Sequence, residues 1–245
     1  MNIIYVVGIG PGAYDKMTLE AVDIIKACDV IAGYTVYAKL LKAYFPDKIY
    51  IDTPMKKEEE RCRLAFEAAQ KGQRVALVCS GDAGVYGLSG LMLSLERDYP
   101  DCRVEIIAGV TSALSGAALI GAPLIHDFAL ISLSDLLTPW EKIEKRLRYA
   151  AASDFVIVLY NPSSKSRADY LKKACDIILS EQSDKIECAV VRNIAREGES
   201  SVFMNLGELR EYKADMFCTV FIGNTMTKRI GKRIVTPRGY KGERL

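Results

Sequence analysis

Residues 74–87 read RVALVCSGDAGVYG, an apolar run that stops in a turn carrying Gly81, Gly84 and Gly87. A short apolar run bounded by glycines predicts a buried strand whose chain turns sharply towards a helix. The same unit recurs on both sides of this stretch. IIYVVG (3–8) precedes a predicted helix over 17–28, DVIAG (29–33) one over 35–44, and a short KIYID strand (48–52) a charged one over 56–71. RVALVC leads to a helix near 85–97 and RVEIIAG (103–109) to one from about 111. Repeated strand, turn and helix predicts an α/β fold with a mostly parallel sheet covered by helices.

The pattern changes at SALSGAALIGAPLIHDF (112–128), which is rich in small residues and holds Gly121 and Pro123. A boundary there divides the chain into an N-terminal α/β domain, 1–120, and a C-terminal mixed α/β domain, 121–245. The second half offers a strand in DFALISLS (127–134) and a helix whose expected start is Thr138 as N-cap, Pro139 at the first helical position and Glu141 closing a capping box. DFVIVLYNP (154–162), a helix over 166–180, CAVV (188–191) and a strand pair around SVFMNL and MFCTVFIG follow. More antiparallel pairing is expected here than in the first half.

Composition narrows the function. At 245 residues with 50% hydrophobic and 26% charged residues, the chain has ordinary globular usage. MNIIYVVGIGPG has no basic leader and reads as a first strand, not a signal peptide, and no apolar run is long enough to cross a bilayer. The seven cysteines form no CxxC pair and His126 is the only histidine, so no protein-owned metal site is expected. An odd number of thiols in a chain this long fits reduced, mostly buried cysteines in the cytoplasm. A formal net charge of +2 gives no ground for a nucleic-acid partner. Between Thr225 and Leu245, however, Lys228, Arg229, Lys232, Arg233, Arg238, Lys241 and Arg244 face only Glu243, as either a solvated tail or a surface for an anionic partner.

The glycine turns fail the common phosphate patterns. GIGPG (8–12) has Pro11 in the turn, and the second strand ends at Gly33 and Tyr34 without the carboxylate that holds a dinucleotide ribose. Neither turn contains a Walker lysine. Turns of this kind still offer N–H and C=O groups of both signs, which suits S-adenosylmethionine, whose carboxylate needs donors and whose sulfonium needs oxygens. Asp82 can accept while Gly81, Gly84 and the next helix start donate, or Asp82 serves only as a helix cap.

Longer motifs carry a specific resemblance. VGIGPG (7–12), IAGYTVY (31–37), SGDAGVYG (80–87), AGVTSA (108–113), GAPLIHDFALISLSDLLTPW (121–140), DFVIVLYNPSSKSR (154–167), VRNIAREGE (191–199), GNTMT (223–227) and TPRGY (236–240) span nearly the whole length. With these the chain resembles the tetrapyrrole methyltransferases of corrin biosynthesis. Alanine stands at 83 and 108 where that family commonly has proline.

The resemblance implies a two-domain tetrapyrrole methylase-like fold, usually homodimeric, with the methyl donor S-adenosylmethionine in a trough between the domains and an anionic tetrapyrrole as partner. Its donor contacts fall on Pro11, Ser80, Gly81, Asp82, Val85, Thr111, Ser112, Tyr160 and Ala195, and Gly10 helps to shape the substrate trough. The implied reaction is methylation of C17 of a precorrin-3 macrocycle with ring contraction; C11 or C20 methylation, an RNA or protein methyltransferase of this fold, and a non-catalytic carrier are the alternatives. His126 beside Asp127 can move protons near neutral pH or form a structural pair. Ser134 and Asp135 are candidates for macrocycle hydrogen bonds, and Arg192 and Arg238 for substrate carboxylates.

Overall fold

The structure, a computed structural model, describes residues 1–164 and 167–242. It separates into two compact units, Met1–Ser112 and Ala113–Leu245. Lys165 and Ser166 of the LYNPSSKSR motif, and Glu243 and Arg244 of the basic stretch, lie outside the described residues.

In the first unit the elements are β1 (Asn2–Gly8), α1 (Leu19–Ala27), β2 (Val30–Tyr34), α2 (Thr35–Lys42), β3 (Ile49–Thr53), α3 (Glu58–Gln70), β4 (Val75–Cys79), α4 (Ser89–Leu95) and β5 (Cys102–Ile107). The strands lie in the order β3-β2-β4-β1-β5 and every pair is parallel. β4 is buried at all five positions because helices cover both faces. Val75, Leu77 and Cys79 pack with Phe66 of α3 and Met92 of α4. Ala76 and Val78 pack with Ile25 of α1 and Leu41 of α2 on the other face. α1 begins where Thr18 accepts a hydrogen bond from Ala21 N at 3.1 Å.

α5 (Ser112–Ile120) starts at the last residue of the first unit. The second unit continues with β6 (Gly121–Ala122), β7 (Phe128–Ser132), α6 (Trp140–Ala152), β8 (Val156–Tyr160), α7 (Tyr170–Leu179), β9 (Glu187–Arg192), β10 (Ser200–Asn205), α8 (Leu206–Leu209), β11 (Cys218–Ile222), β12 (Lys228–Ile230) and β13 (Arg233–Val235). Its main sheet runs β10-β9-β11-β8-β7 and is mixed: β7 and β8 are parallel, the other neighbours antiparallel. β12, β13 and β6 form a small third sheet. Successive residues of a strand serve opposite faces, so Ile157 and Leu159 join a core with α6 and α7 while Val158 packs beneath α5.

Two expectations change. SVFMNL and MFCTVFIG do form strands, β10 and β11, but they flank β9 on either side and do not pair with each other. The α6 capping box is absent: Pro139, at ψ 142°, is itself the N-cap, and its carbonyl accepts from Lys142 N and Ile143 N at 3.0 and 3.3 Å. That extended ψ moves the first helical residue to Trp140 and leaves Thr138 outside the helix.

Candidate functional site

The carboxyl ends of the parallel strands hold the first cluster of expected residues. Gly10 and Gly81 exchange backbone hydrogen bonds of 3.0 and 2.8 Å, both with φ near +70°, a region that costs other residues strain. Gly8 and Gly109 close the junction from the ends of β1 and β5. A Cβ on Gly109 would stand 2.2 Å from the Gly81 carbonyl oxygen, and one on Gly8 2.7 Å from Gly109 N. Three strand-end turns thus meet backbone against backbone, with buried Pro11 next to Gly10.

Asp82 fastens this junction. One carboxylate oxygen accepts from Gly84 N at 2.8 Å and Val85 N at 3.1 Å; the other accepts from Gly109 N at 2.8 Å. It is not a helix cap, since α4 begins only at Ser89. The turn is longer than the sequence suggests, and it is held at its far end by Ser89, whose N–H and hydroxyl both donate to the Ala83 carbonyl at 3.2 and 2.6 Å. Ser80, Gly81, Asp82 and Val85 therefore share one braced turn. A Cβ on Gly81 would lie 3.4 Å from Thr111 Cα and 3.8 Å from Ser112 N, so the glycine leaves space directly before the first turn of α5. Half-buried Thr111 and Ser112 border that space.

The second unit places its expected residues in three groups. Tyr160 ends β8, and its hydroxyl accepts from Ala113 N in the first turn of α5 at 2.7 Å. Ala195, like Tyr160, packs against the core beneath α5. Ala195, Asn161 and Asn193 all have φ of 53–54°, so left-handed residues gather where β8 and β9 end, a pattern that sequence spacing does not reveal.

Ser134 and Asp135 form the second group and are committed to protein partners. Arg167 donates to Ser134 Oγ at 2.8 Å and to Asp135 at 3.2 Å, while the Tyr170 hydroxyl donates to Asp135 at 2.6 Å. The Tyr170 hydrogen bond first, then Arg167, outweighs desolvation and holds the Asp135 carboxyl below the usual carboxylate range. The Trp140 ring packs against Tyr170, 4.6 Å from its ring. Tyr170 is absent from the sequence reading because nothing local links it to a residue 35 positions away.

His126, Asp127 and Arg238 form the third group. His126 Nδ1 accepts from Asp127 N at 2.9 Å and stands 3.4 Å from the Asp127 carboxylate; Arg238 donates to the Ile125 carbonyl at 3.4 Å. His126 and Asp127 precede β7, whose register with β8 sets Phe128 beside Val156 and Ser132 beside Tyr160. His126 is therefore at the opposite end of that strand from Tyr160, Ser134 and Asp135, and the four steps from Phe128 to Ser132 alone span about 13 Å. Arg192 is at the Tyr160 end but on the other face. Ala189 and Val191 pack beneath α5, Cys188 and Val190 against α6 and α7, and Arg192 continues the latter side, donating to Asp215 at 2.7 Å. A cavity of about 530 Å³ lined by Lys185, Glu187, Asn224, Thr225, Lys228 and Arg229, with their neighbours, contains none of the expected site residues.

A family model described as Tetrapyrrole (Corrin/Porphyrin) Methylases matches residues 3–210. A probable cobalt-factor III C(17)-methyltransferase of Salmonella typhimurium is 44% identical over 236 residues, 96% of this chain and 98% of that protein. A precorrin-3B C(17)-methyltransferase of Sinorhizobium sp is 37% identical over 98% of this chain and 97% of its own length. The crystal structure of the methyltransferase CobJ superposes with a TM-score of 0.88 at 33% identity, covering 97% of this chain and all of that one.

Proposed function

The chain belongs to the tetrapyrrole (corrin/porphyrin) methylases, and on that footing we propose that it transfers a methyl group from S-adenosylmethionine to C17 of a precorrin-3-type macrocycle, with ring contraction, in cobalamin biosynthesis. The observation that carries this reading is full-length identity of 44% to a relative named for that position, together with the braced turn at Gly81. The higher identity to the cobalt-factor III relative than to the precorrin-3B one favours the cobalt-loaded substrate.

The turn fits the methyl donor. Space before α5 that a side chain at 81 would fill, with the Asp82 carboxylate in the same turn, suits a ligand carrying a sulfonium. Pro11, Ser80, Gly81, Asp82, Val85, Thr111 and Ser112 are the donor residues proposed in the first unit, and Tyr160 and Ala195 those in the second. S-adenosylmethionine supplies an activated methyl on a good leaving group, so the chain's main task is alignment of donor and acceptor carbon, with no nucleophilic side chain required. Asp82 serves that alignment by fixing Gly84, Val85 and Gly109.

Proton movement during contraction is assigned to His126 and Asp127, and contact with substrate carboxylates to Arg238. His126→Ala should suppress the contracted product more than donor binding; a normal yield of contracted product removes His126 from the mechanism. We expect the protein to act as a homodimer in the cytoplasm. The overall reading is tested by anaerobic incubation with S-adenosylmethionine labelled with carbon-13 on the methyl and either cobalt-factor III or precorrin-3B. Nuclear magnetic resonance should place the label on C17; a label on C11 or C20, or none, overturns the reading.

A further inference from the structure

Arg61 is 3% exposed, yet no salt bridge reaches it among the described residues. Burying a cation without a counter-charge is expensive, and Arg61 sits in the first turn of α3, where the helix dipole also disfavours positive charge. The acids of that turn are engaged elsewhere. Glu58 accepts from Lys56 N, Glu59 pairs with Arg63 and Glu60 with Lys57.

The guanidinium is partly satisfied by the end of β3. Nε donates to Thr53 Oγ1 at 2.9 Å, and Nη2 to the carbonyls of Thr53 and Pro54 at 3.3 and 3.0 Å. The Tyr34 ring lies 5.9 Å from its central carbon. Among the described residues Nη1 makes no hydrogen bond and no buried side-chain nitrogen lacks a partner, so Nη1 is the corner that meets solvent. That corner belongs to the carboxyl ends of β2 and β3, on the same edge of the sheet as the Gly81 turn. β3 is two strand spacings from β4, about 10 Å, a span that a macrocycle with peripheral carboxylates covers.

We infer that Arg61 is an anchor for one carboxylate of the macrocyclic substrate, received by the Nη1 corner at the end of β2 and β3. The inference rests on the proposed function for the identity of the ligand. Thr53, closed into a network by its own hydroxyl and by Thr35, holds the guanidinium plane so that this corner is presented without rearrangement. A carboxylate there completes the counter-charge that the protein omits.

The test uses uroporphyrin, a stable polycarboxylate tetrapyrrole, and its carboxamide derivative, titrated by fluorescence into the full-length protein and into Arg61→Met and Arg61→Lys. One charge-assisted hydrogen bond predicts about tenfold weaker uroporphyrin binding for Arg61→Met. Arg61→Lys should recover part of the loss, and S-adenosylmethionine affinity and carboxamide binding should not change. In the unaltered protein, uroporphyrin should shift the side-chain nitrogen resonances of Arg61, a readout available even if Arg61→Met fails to fold. Unshifted resonances, equal losses for uroporphyrin and carboxamide, or no uroporphyrin binding by the unaltered protein overturn the anchor. An unaltered protein that binds uroporphyrin through Arg61 but methylates neither cobalt-factor III nor precorrin-3B sinks the proposed function and spares the anchor.

Discussion

Asp82 carries more structure than its place in a turn suggests. Asp82→Ala strands three backbone N–H groups, one of them on Gly109, and should cost about 1–3 kcal/mol of stability in urea unfolding. It should also weaken S-adenosylmethionine binding measured by calorimetry; unchanged affinity would reduce Asp82 to a brace. Gly109→Ala tests the same junction from the other side. Its new methyl would meet the Gly81 carbonyl at 2.2 Å, so the expected loss is at least about 1–3 kcal/mol, with donor binding lost alongside. That SGDAG forms a tight turn was legible in the sequence because glycine spacing is local. The bond from Asp82 to Gly109, 27 residues on, was not, because it depends on β1 lying between β4 and β5.

At the level of single elements, the loop after β7 is tied to the start of α7 by the carboxylate of Asp135. Its depressed pKa adds stability that is fully present above the ordinary carboxylate value of about 3.9 and is lost as pH falls through the lower folded value. The Tyr170 hydroxyl, raised first by the same hydrogen bond, adds stability below its ordinary value of about 10 that is lost as pH rises through the folded one. Tyr170→Phe should move the Asp135 titration up towards the ordinary range, as followed by carbon-13 resonances; an unmoved titration would contradict the bond. Ala83 is fully buried and donates no backbone hydrogen bond among the described residues, so Ala83→Pro should stabilise the turn by about 0.4–1 kcal/mol, read as a higher Tm. Helix starts were less legible than strands. TPWE scores as a capping box, but the box needs the chain to turn helical at Pro139, and its ψ of 142° delays that by one residue.

Across the whole molecule, the alternation of apolar runs and glycine turns was enough to read a parallel first sheet, since the inner strands β2 and β4 are buried on both faces and each crossover is long enough for a helix. The second sheet was readable only as mixed, because the position of β11 between β8 and β9 is set by long-range packing and not by turn chemistry. All seven cysteines are free and buried, and burial pushes the thiols of Cys28, Cys79 and Cys218 up to about 11 and those of Cys62 and Cys175 to about 12. A colorimetric disulfide reagent should therefore find essentially no reactive thiol in the native protein and all seven in denaturant; fast native labelling would contradict their burial. A chain so silent towards electrophiles is a clean background for dyes. A lone cysteine written at exposed Lys232, in the bend joining β12 to β13, would carry the only label, and its emission could follow ligand arrival in real time.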